Sequence, residues 1–513
     1  MVTNLSNVEL TSDGSNTPRL LKDRFAEYVN VKDFGATGDG SPIDDTTAIN
    51  AAITHAKENY WDEGLSATLY FPSGQYWCGN DIKTFEISHD YAYSELISIK
   101  GDGISSMLWN GGFIINVASV ELSDMSFYGN NTGSAVELIS SAAKCRIRNL
   151  FISRYEYGIF VNNCKAQNQI ESTRVRYCTG AGFYILGVYG TTLIGCQAHN
   201  CHTAPGFFLK GYGGDPANDI PAHPVGECRM ISCRAQHCRE GLKIDGTDSV
   251  VYESYFDNLS LSWNGWRDPS KRVSIPDASL DGEELTVTFT SKHYLRDNSF
   301  TGIGQSESEP GLVLAGQVSG WHRLICKRVI SDTEAVIQVD SGFVLPSGIN
   351  SENSYMQPAY WDLYIDNAYD LWFTQCNINH SYFNNLRETR FNNSRLKMLI
   401  YFDSSGTSTN NVFYGNRRGR SVNNLDVIPH GPGSVGAWAS FELGRENGDA
   451  SISQLHMDMP KKDTLTNADG TPQDFSGIVV KPDGIELQGL PTSEPSTVGE
   501  IWNDDGIIKI KEA

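Results

Sequence analysis

Apolar and polar residues alternate along short segments that recur with a period of about 24 residues. The segments begin at Gly158, Gly182, Gly206, Gly241 and Asp362. Because successive side chains of a strand point to opposite faces, each segment predicts a short strand with one apolar face. The apolar residues are Ile159/Val161, Phe183/Ile185, Phe207/Leu209, Leu242/Ile244 and Leu363/Ile365.

A second set of strands follows the first with the same period. Its central inward positions are Thr173, Cys196, Cys233, Ser254 and Cys376. Both sets lengthen at the same places in the chain, which stacked coils explain and a flat sheet does not. Each coil cannot bury its apolar side alone, so stacking produces one continuous core. The pattern predicts an all-β chain, a parallel β-helix of at least seven coils.

The division into domains follows from where this pattern begins, breaks and ends. Alternating runs over 284–290 and 334–339 predict an antiparallel β domain inserted between coils. A second insertion, 211–226, is a Gly- and Pro-rich loop of the kind that overhangs a ligand surface. We expect an N-terminal peptide and neck helix over 1–30, a capping helix and first coils over 31–112, the β-helix over 113–259, the inserted domain over 260–358, the last coils over 359–425, and a C-terminal β trimerisation domain over 426–513.

The N-terminal region predicts elements that would close one end of the β-helix. Residues 18–28 predict a short amphipathic helix with Pro18 near its first turn. Residues 29–53 predict a strand, a Gly-rich turn and a helix capped by Asp44 or Asp45. Residues 69–76 predict the first coil strand and its turn. An amphipathic helix before the first coil would cover the open end, as solenoids require.

Charge and hydropathy exclude several classes of partner. The net charge of −21 argues against nucleic acid and anionic membranes as partners. The sequence has no run of 18 apolar residues and no charged-then-apolar N-terminal segment, so we expect neither membrane insertion nor export through a signal peptide.

The eleven cysteines resemble a disulfide set or a metal site until the coils are aligned. Cys196 and Cys233 then share one inward position, and Cys178, Cys201 and Cys238 share another. This pattern predicts stacked, unlinked core thiols in a reducing compartment. The spacing of Cys228, Cys233 and Cys238 fits no common zinc pattern, and we expect neither a metal nor another cofactor.

Motifs at both ends resemble those of a known family. The segment VKDFGATGDGSPIDDTTAINAAI, followed by LYFPSGQYW, resembles the opening of pectate-lyase-like β-helix proteins and especially of bacteriophage tailspikes. The segment TPRLLKDRFAEYV resembles a tailspike neck, and residues 489–510 resemble the closing segment of many phage tail proteins. The resemblance implies a right-handed coil, a homotrimer, and a bacterial capsular polysaccharide or lipopolysaccharide O-antigen as ligand. It also implies a place in the phage tail of the virion, attachment to other tail proteins through the N-terminus, and action outside the host cell surface.

Two groups of outward side chains are candidates for binding a polysaccharide. The first is an aromatic ladder with two lysines that we expect to stack against sugars: Phe160, Tyr184, Phe208, Tyr364, Lys210 and Lys243. The second is a basic group that suits the carboxylates of an acidic sugar: Arg174, Arg176, His199 and Arg234. The alternative for both groups is contact with a neighbouring subunit of a trimer, the aromatic rings by packing and the arginines by ion pairing.

Glycoside hydrolysis requires two carboxyl groups, one protonated and one ionised. Asp245 and Asp366 share an outward column, and if the insertion loops out between their coils they lie roughly 5 to 10 Å apart. That range includes both retaining and inverting separations. The further catalytic candidates are Glu240, Asp248 and Asp257.

We therefore expect an endo-acting glycoside hydrolase that depolymerises a surface polysaccharide. One alternative is a lyase acting on a uronate-containing capsule, with His199, His237, Lys243 or Tyr364 as its base. The other is a receptor-binding spike without catalytic activity, which would need the binding surface but not the carboxyl pair.

Overall fold

The computed structural model describes residues 8–11, 13, 16–20, 28–40, 42–88, 97–214, 221–262, 264, 272–291, 299–302, 311–318, 324–339, 342–357 and 361–402. It also describes seven later strands, at 412–418, 426–428, 438–441, 477–481, 484–488, 501–504 and 507–510. The chain forms two compact units, Met1–Asp268 and Pro269–Ala513. No helix in the described ranges is long and apolar enough to span a bilayer.

Parallel strands in the first unit form three sheets that run along the stacked coils. Sheet A contains Tyr28–Asn30, Thr68–Phe71, Ile97–Gly101, Val120–Ser123, Arg146–Arg148, Gln169–Glu171, Thr192–Ile194, Arg229–Ile231 and the end of Val251–Asp257. Sheet B contains Gly74–Trp77, Ser106–Trp109, Ser126–Tyr128, Phe151–Ser153, Arg174–Arg176, Gln197–His199, Arg234–Gln236 and Ser260–Ser262. Sheet C contains Lys83–Ile87, Gly111–Ile115, Ser134–Ile139, Tyr157–Asn162, Ala181–Leu186, Phe207–Lys210 and Leu242–Asp245.

Each coil passes once through sheets A, B and C, and the described part of the first unit contains seven complete coils. Phe160 pairs with Tyr184 in the next coil, at the predicted spacing. Leu193 pairs with Met230, because the loop over 211–226 lengthens that coil. The inward residues of each strand are buried, so the core is a continuous apolar interior as the alternation predicts. The predicted parallel β-helix is confirmed.

The corners between sheets A and B have a repeated conformation. One residue with positive φ turns the chain and the next residue points inward: Asp124/Met125, Asn149/Leu150, Ser172/Thr173, Gly195/Cys196, Ser232/Cys233 and Asn258/Leu259. Leu259 therefore occupies the inward corner position that the repeat pattern predicted for Ser254, and the prediction for Ser254 is wrong. Ser254 instead lies before sheet A, like Cys228. The first residues of the strand Val251–Asp257 pair with Val225–Gly226 before the chain enters sheet A. This earlier extended segment has the same alternation of polar and apolar residues as a sheet strand, which explains the wrong assignment.

The N-terminal signature folds as a strand, a short 3₁₀ helix at Val31–Phe34, a turn and the helix Thr46–Ala56, which continues as a π-helical turn at Lys57–Trp61. The Asp44 carboxylate accepts a hydrogen bond from the Thr46 amide at 2.9 Å. The Asp45 carboxylate instead accepts hydrogen bonds from the amide and hydroxyl of Thr37, which fixes the Gly-rich turn against the helix start. Ile49 and Ala56 of the helix are fully buried.

Farther upstream, the structure differs from the predicted neck helix over 18–28. Arg19–Leu20 is a short strand that pairs antiparallel with Glu9–Leu10, where the sequence predicted the start of a helix. Residues 21–27 lie outside the described residues. One further 3₁₀ helix spans Gly103–Ser105.

Ten cysteines have described side chains, and none of these ten forms a disulfide. All except Cys164 are buried. Cys178, Cys201 and Cys238 follow the positive-φ residues at the corner between sheets B and C, as one stacked column. Burial raises the pKa of Cys78 and of Cys228 to about 12, so these thiols stay protonated and unreactive. The prediction of unlinked core thiols is confirmed for the nine buried cysteines, and Cys164 is unlinked but not buried.

The second unit begins with two antiparallel sheets. One contains Val273–Ser274, Tyr355–Gln357, Gly311–Leu314 and Gln317–Val318. The other contains Asp277–Asp281, Glu284–Thr288, Glu334–Gln338, Leu324–Ser331 and Ser299–Gly302. Their buried core includes Ile275, Leu285, Val287, Phe289 and Ile337. The two alternating runs that predicted this insertion form neighbouring strands.

Parallel pairing returns in the second unit after the antiparallel sheets. The strands are Leu363–Thr374, Asn377–Arg387, Arg390–Asn392, Arg395–Phe402, Val412–Arg418, Asp426–Ile428 and Trp438–Phe441. Parallel pairing thus extends past residue 425, beyond the predicted end of the coils. Two antiparallel hairpins follow, Gly477–Lys481 with Gly484–Gln488 and Ile501–Asp504 with Ile507–Ile510.

Candidate functional site

An aromatic ladder occupies the outward face of sheet C. Phe160 and Tyr184 are parallel within 4°, with ring centroids 4.7 Å apart, and Tyr184 and Phe208 are parallel within 7° at 4.8 Å. These distances equal the spacing of neighbouring strands, because the residues are in register in successive coils. Lys243 continues the row, with its ammonium 4.9 Å from the centre of the Phe208 ring. The predicted column from Phe160 to Lys243 therefore exists in the first unit.

The orientation of these rings differs from what sugar stacking requires. Tyr184 has Phe160 against one face and Phe208 against the other, so neither face of Tyr184 is free. The side of Phe208 toward the next coil faces Lys243. The ladder therefore presents ring edges and the Tyr184 hydroxyl outward. Burial, followed by Asp245 and Asp248, raises the pKa of Tyr184 to about 12, so that hydroxyl remains a hydrogen-bond donor.

A half-buried carboxylate lies beside the end of the ladder. The hydroxyl and amide of Thr247 donate hydrogen bonds to Asp245 at 2.6 and 3.2 Å. The Lys243 ammonium lies 3.3 Å from the other carboxylate oxygen. Burial favours the protonated acid, but the Thr247 hydrogen bonds and Lys243 outweigh it and hold the pKa of Asp245 below its ordinary value. Asp245 is therefore ionised at neutral pH and suits the role of a base or nucleophile.

Two other carboxylates near sheet C are already paired with cations. Asp248 lies 2.7 Å from the ammonium of Lys210, and the Asp248 side chain is half-exposed. The Glu240 carboxylate accepts a hydrogen bond from the Nε–H of Arg239 at 2.8 Å. Glu240 is nearly buried in the corner between sheets B and C. Lys210 and Asp245 occupy paired positions of adjacent strands, so both ion pairs lie on the same part of the sheet C surface.

The two remaining residues of the predicted column lie in the second unit. Tyr364 stacks on Tyr382 with ring centroids 4.7 Å apart and an angle of 5° between the rings. The Asp366 carboxylate accepts a hydrogen bond from the Asn384 side chain at 3.0 Å. Asp245 belongs to the first unit and Asp366 to the second, so the pairing of these two carboxylates stays a prediction.

The basic group lies on sheet B, on a different face of the coils from the aromatic ladder. Arg174, Gln197 and Arg234 occupy one outward row, and Arg176, His199 and Gln236 occupy the next. The Arg174 guanidinium donates a hydrogen bond to the Gln197 amide oxygen at 3.2 Å, and a ring nitrogen of His199 lies 3.3 Å from the same oxygen. The basic group is thus a second surface, separate from that of Asp245.

The surroundings of His199 on this surface lower its pKa. Burial lowers the pKa of His199 most, and Arg176, Arg174 and Arg234 lower it further, to about 4. The imidazole is therefore neutral at physiological pH. Burial also lowers the pKa of His237, which follows Gln236 at the next corner.

Asp257 lies on neither of these surfaces. It is exposed at the end of the sheet A strand, where it pairs with Ile231. The predicted inward position of Ser254, one coil after Cys233, would place Tyr255 beside Arg234 and Asp257 beside Gln236. In the structure Arg234 pairs instead with Ser260, and Gln236 pairs with Ser262. The cause is the same one-corner slip that misplaced Ser254.

Sequence reasoning missed an aromatic group on sheet B. Trp109 and Tyr128 are paired outward residues of successive coils, with ring centroids 4.5 Å apart. The Arg154 guanidinium lies 5.6 Å from the centre of the Tyr128 ring. The alternation around Phe127 contained the signal, because Tyr128 follows it as an outward residue. Among the described residues, no three His, Cys, Asp or Glu side chains are arranged to hold a metal ion.

Two family models match the sequence. Residues 28–107 match the model described as rhamnogalacturonase A/epimerase, pectate lyase-like, and residues 110–306 match the right-handed β-helix region. The resemblance to pectate-lyase-like, right-handed β-helix proteins is therefore confirmed. No curated protein matches the sequence.

Solved structures with some similarity include phage and polysaccharide-acting proteins. ORF18 of Geobacillus virus E2 is 15% identical, with a TM-score of 0.40 over 96% of this chain and 87% of that one. The A-module of the Azotobacter vinelandii mannuronan C-5 epimerase AlgE6 is 11% identical, with a TM-score of 0.40 over 81% of this chain and 99% of that one. The tailspike of E. coli bacteriophage HK620, in complex with a pentasaccharide, is 12% identical, with a TM-score of 0.39 over 81% of this chain and 71% of that one. Similarity at this level carries no conclusion about the chemistry of this chain.

Proposed function

We propose that the protein is a phage tailspike that binds a bacterial capsular polysaccharide or O-antigen and depolymerises it by endo-acting glycoside hydrolysis. The pectate-lyase-like match over 28–107 and the β-helix match over 110–306 support a protein that acts on polysaccharides. The observation that carries the proposal is the sheet C surface around Asp245. There an ionised carboxylate, two ammonium groups and the end of an aromatic row lie on adjacent strands.

In this proposal Asp245 acts in its ionised form. Its lowered pKa suits a nucleophile at the anomeric carbon or a base that activates water, and does not suit the general acid. Lys243 and Thr247 hold the carboxylate in place through contacts of 3.3 Å and 2.6 Å. The Tyr184 hydroxyl, kept protonated, is available to donate a hydrogen bond to a sugar oxygen.

The general acid must be a second carboxyl group that holds a proton. Asp366 is the first candidate, because the sequence places it in the outward column of Asp245. Its carboxylate accepts a hydrogen bond from the Asn384 amide at 3.0 Å. Glu240 and Asp248 follow, although each is paired with a cation, and the exposed Asp257 comes last.

A lyase is the second candidate function, and the sheet B surface favours it. β-Elimination removes the proton at C5 of a uronate, breaks the bond from C4 to the leaving oxygen, and forms the C4–C5 double bond. The leaving oxygen then takes a proton. Arginines can neutralise the uronate carboxylate while a neutral imidazole accepts the C5 proton. Arg174, Arg176 and His199 are suitably close to one another for this division of roles.

One experiment distinguishes the possible activities. The purified protein is incubated with capsule and O-antigen preparations, and the products are assayed for reducing ends and for the ultraviolet absorbance of an unsaturated uronate. New reducing ends without that absorbance support the hydrolase, and both signals together support the lyase. An intact polymer that nevertheless binds the protein would contradict depolymerisation and leave a receptor-binding spike.

A further inference from the structure

The outward face of sheet B combines groups that the function proposed for Asp245 does not use. We call it the sheet B face, and define it by Trp109, Tyr128, Arg174, Arg176, His199 and Arg234. Its rows are continuous through successive coils, since Trp109 pairs with Tyr128, Tyr128 with Ser153, Ser153 with Arg176, and Arg176 with His199. The four strand steps from Trp109 to His199 span roughly 19 Å at about 4.8 Å each.

The arginines of this face differ from Arg146 and Arg148 of the neighbouring sheet A. On sheet A, Arg146 lies 3.3 Å from the Glu171 carboxylate and Arg148 is paired with Glu121. On the sheet B face, Arg174, Arg176 and Arg234 have no acidic partner among the described residues, although the chain carries a net charge of −21. Arg146 and Arg148 thus face acids, whereas Arg174, Arg176 and Arg234 face none among the described residues.

Hydrogen bonding on this face is also incomplete. The Nε–H of Arg176 is buried and has no acceptor, and the guanidinium is instead 5.5 Å from the centre of the Phe151 ring. The Nε1–H of Trp109 is likewise buried without an acceptor. A buried donor that lacks an acceptor is costly, and such groups are rare enough in native structures that each calls for an explanation. Both lie in one outward row of one sheet.

We propose that the sheet B face binds an acidic glycan, with a carboxylate at the arginine end and a sugar ring at the aromatic end. The inference rests on the proposed function in that the protein must bind a polysaccharide, but it does not require Asp245 or cleavage. A carboxylate would supply the missing negative charge between Arg174, Arg176 and Arg234 and would form the paired hydrogen bonds that guanidinium groups favour. A chain along the coil axis then reaches Tyr128 and Trp109, whose ring edges provide an apolar surface for a sugar.

The experiment measures binding on a panel of bacterial capsular polysaccharides and O-antigens. Each polysaccharide is present in its native form and after carbodiimide-mediated reduction of its carboxylates to neutral alcohols. The wild-type protein should bind at least one carboxylated polysaccharide and lose that binding when the carboxylates are reduced. Arg174→Gln and Arg234→Gln should each weaken the binding roughly tenfold to hundredfold. Arg146→Gln is the matched control on sheet A and should leave binding unchanged.

Three outcomes would overturn the proposal. They are the absence of binding to every carboxylated polysaccharide, equal binding to reduced forms, and wild-type binding by both sheet B variants. A lower assembly mass for Arg174→Gln and Arg234→Gln, with glycan binding retained, would make the face an interface between copies of the chain. Asp245→Asn separates the two proposals. If Asp245→Asn retains both glycan binding and wild-type cleavage, the proposed hydrolase alone is contradicted. If the arginine variants retain both cleavage and wild-type affinity, the sheet B site alone is contradicted.

Discussion

The ammonium of Lys243 lies 3.3 Å from the carboxylate of Asp245 and 4.9 Å from the centre of the Phe208 ring. One side chain thus connects the end of the aromatic ladder to the half-buried carboxylate. The alternation of a strand produces this arrangement, because residues 243 and 245 point to the same side of sheet C. The contact with Lys243, together with the Thr247 hydrogen bonds, holds the pKa of Asp245 below its ordinary value.

Asp245→Asn should reduce depolymerisation by a factor of roughly 10² to 10⁴, because the amide can act neither as a base nor as a nucleophile. The substitution keeps the size of the side chain, so the assembly and its thermal midpoint should stay close to those of the wild type. Reducing-end release from capsule or O-antigen is the measurement. Asp281→Asn, an exposed carboxylate of the antiparallel sheets, is the matched control. Undiminished release by Asp245→Asn would remove this residue from the site.

Lys243→Met should move the acidic limb of the pH–rate profile to higher pH. An ionised Asp245 is required in the proposed reaction, so activity is present above its pKa and is lost as the pH falls through that value. The wild-type limb should lie below about pH 4, the ordinary range of an aspartate. Losing the ammonium removes one of the two groups that lower the pKa, while the Thr247 hydrogen bonds remain. A limb that does not move would show that another group controls it.

The coils were predictable because burial imposes the same alternation on every strand and stacking imposes one period. The wrong register predicted around Val251–Asp257 shows where alternation and period are insufficient to place a strand. The segment before the sheet A strand is itself extended and pairs with Val225–Gly226, so two registers five residues apart bury equally suitable side chains. In the structure Phe256 pairs with Met230, and this pairing across the coils identifies the sheet A register.

The candidate site was predictable as a set of columns but not as a set of surfaces. The sequence places Phe160, Tyr184 and Phe208 in one row, yet the strand spacing stacks their faces on each other and leaves the ring edges pointing outward. Likewise, no spacing in the chain tells which arginines meet a carboxylate. Arg148 pairs with Glu121 one coil away, whereas Arg174 meets Gln197. These differences depend on which side chains the coils bring opposite each other.

His199 should titrate near pH 4 in the native protein. Because this value lies below the ordinary value of a histidine, the unfolded chain binds the proton first, and His199 should weaken folding as the pH falls from about 6.5 to about 4. Arg176→Gln should raise the native pKa, but only in part, because burial is the larger cause. NMR titration of the imidazole signals that disappear in His199→Gln measures this. Arg146→Gln, on the neighbouring sheet, should leave the pKa of His199 unchanged. An equal shift of that pKa in Arg176→Gln and Arg146→Gln would contradict a local effect.

The cysteines should be free and largely inaccessible in the folded protein. Denatured protein should titrate near eleven thiols without added reductant, and native protein should react at few of them. Among the cysteines with described side chains, Cys164 is the one that is not buried, and although burial raises its pKa to about 12, its greater exposure should make it react before Cys196 or Cys233. Mass spectrometry after brief alkylation identifies the order. Several disulfides in protein prepared without oxidant would contradict the stacked-thiol interpretation.

The protein should be a homotrimer, because stacked coils leave large outward surfaces and an open end that a single chain does not cover. The predicted trimerisation region, 426–513, includes hairpins such as Gly477–Lys481 with Gly484–Gln488, whose two strands alone are too small to be stable in water. Association with equivalent hairpins of other subunits would supply the missing contacts. Light scattering should therefore give about three times the chain mass of 56.6 kDa, independent of protein concentration. A stable species at the mass of one chain would contradict the trimer, and with it the expectation that the C-terminal hairpins require partner subunits to fold.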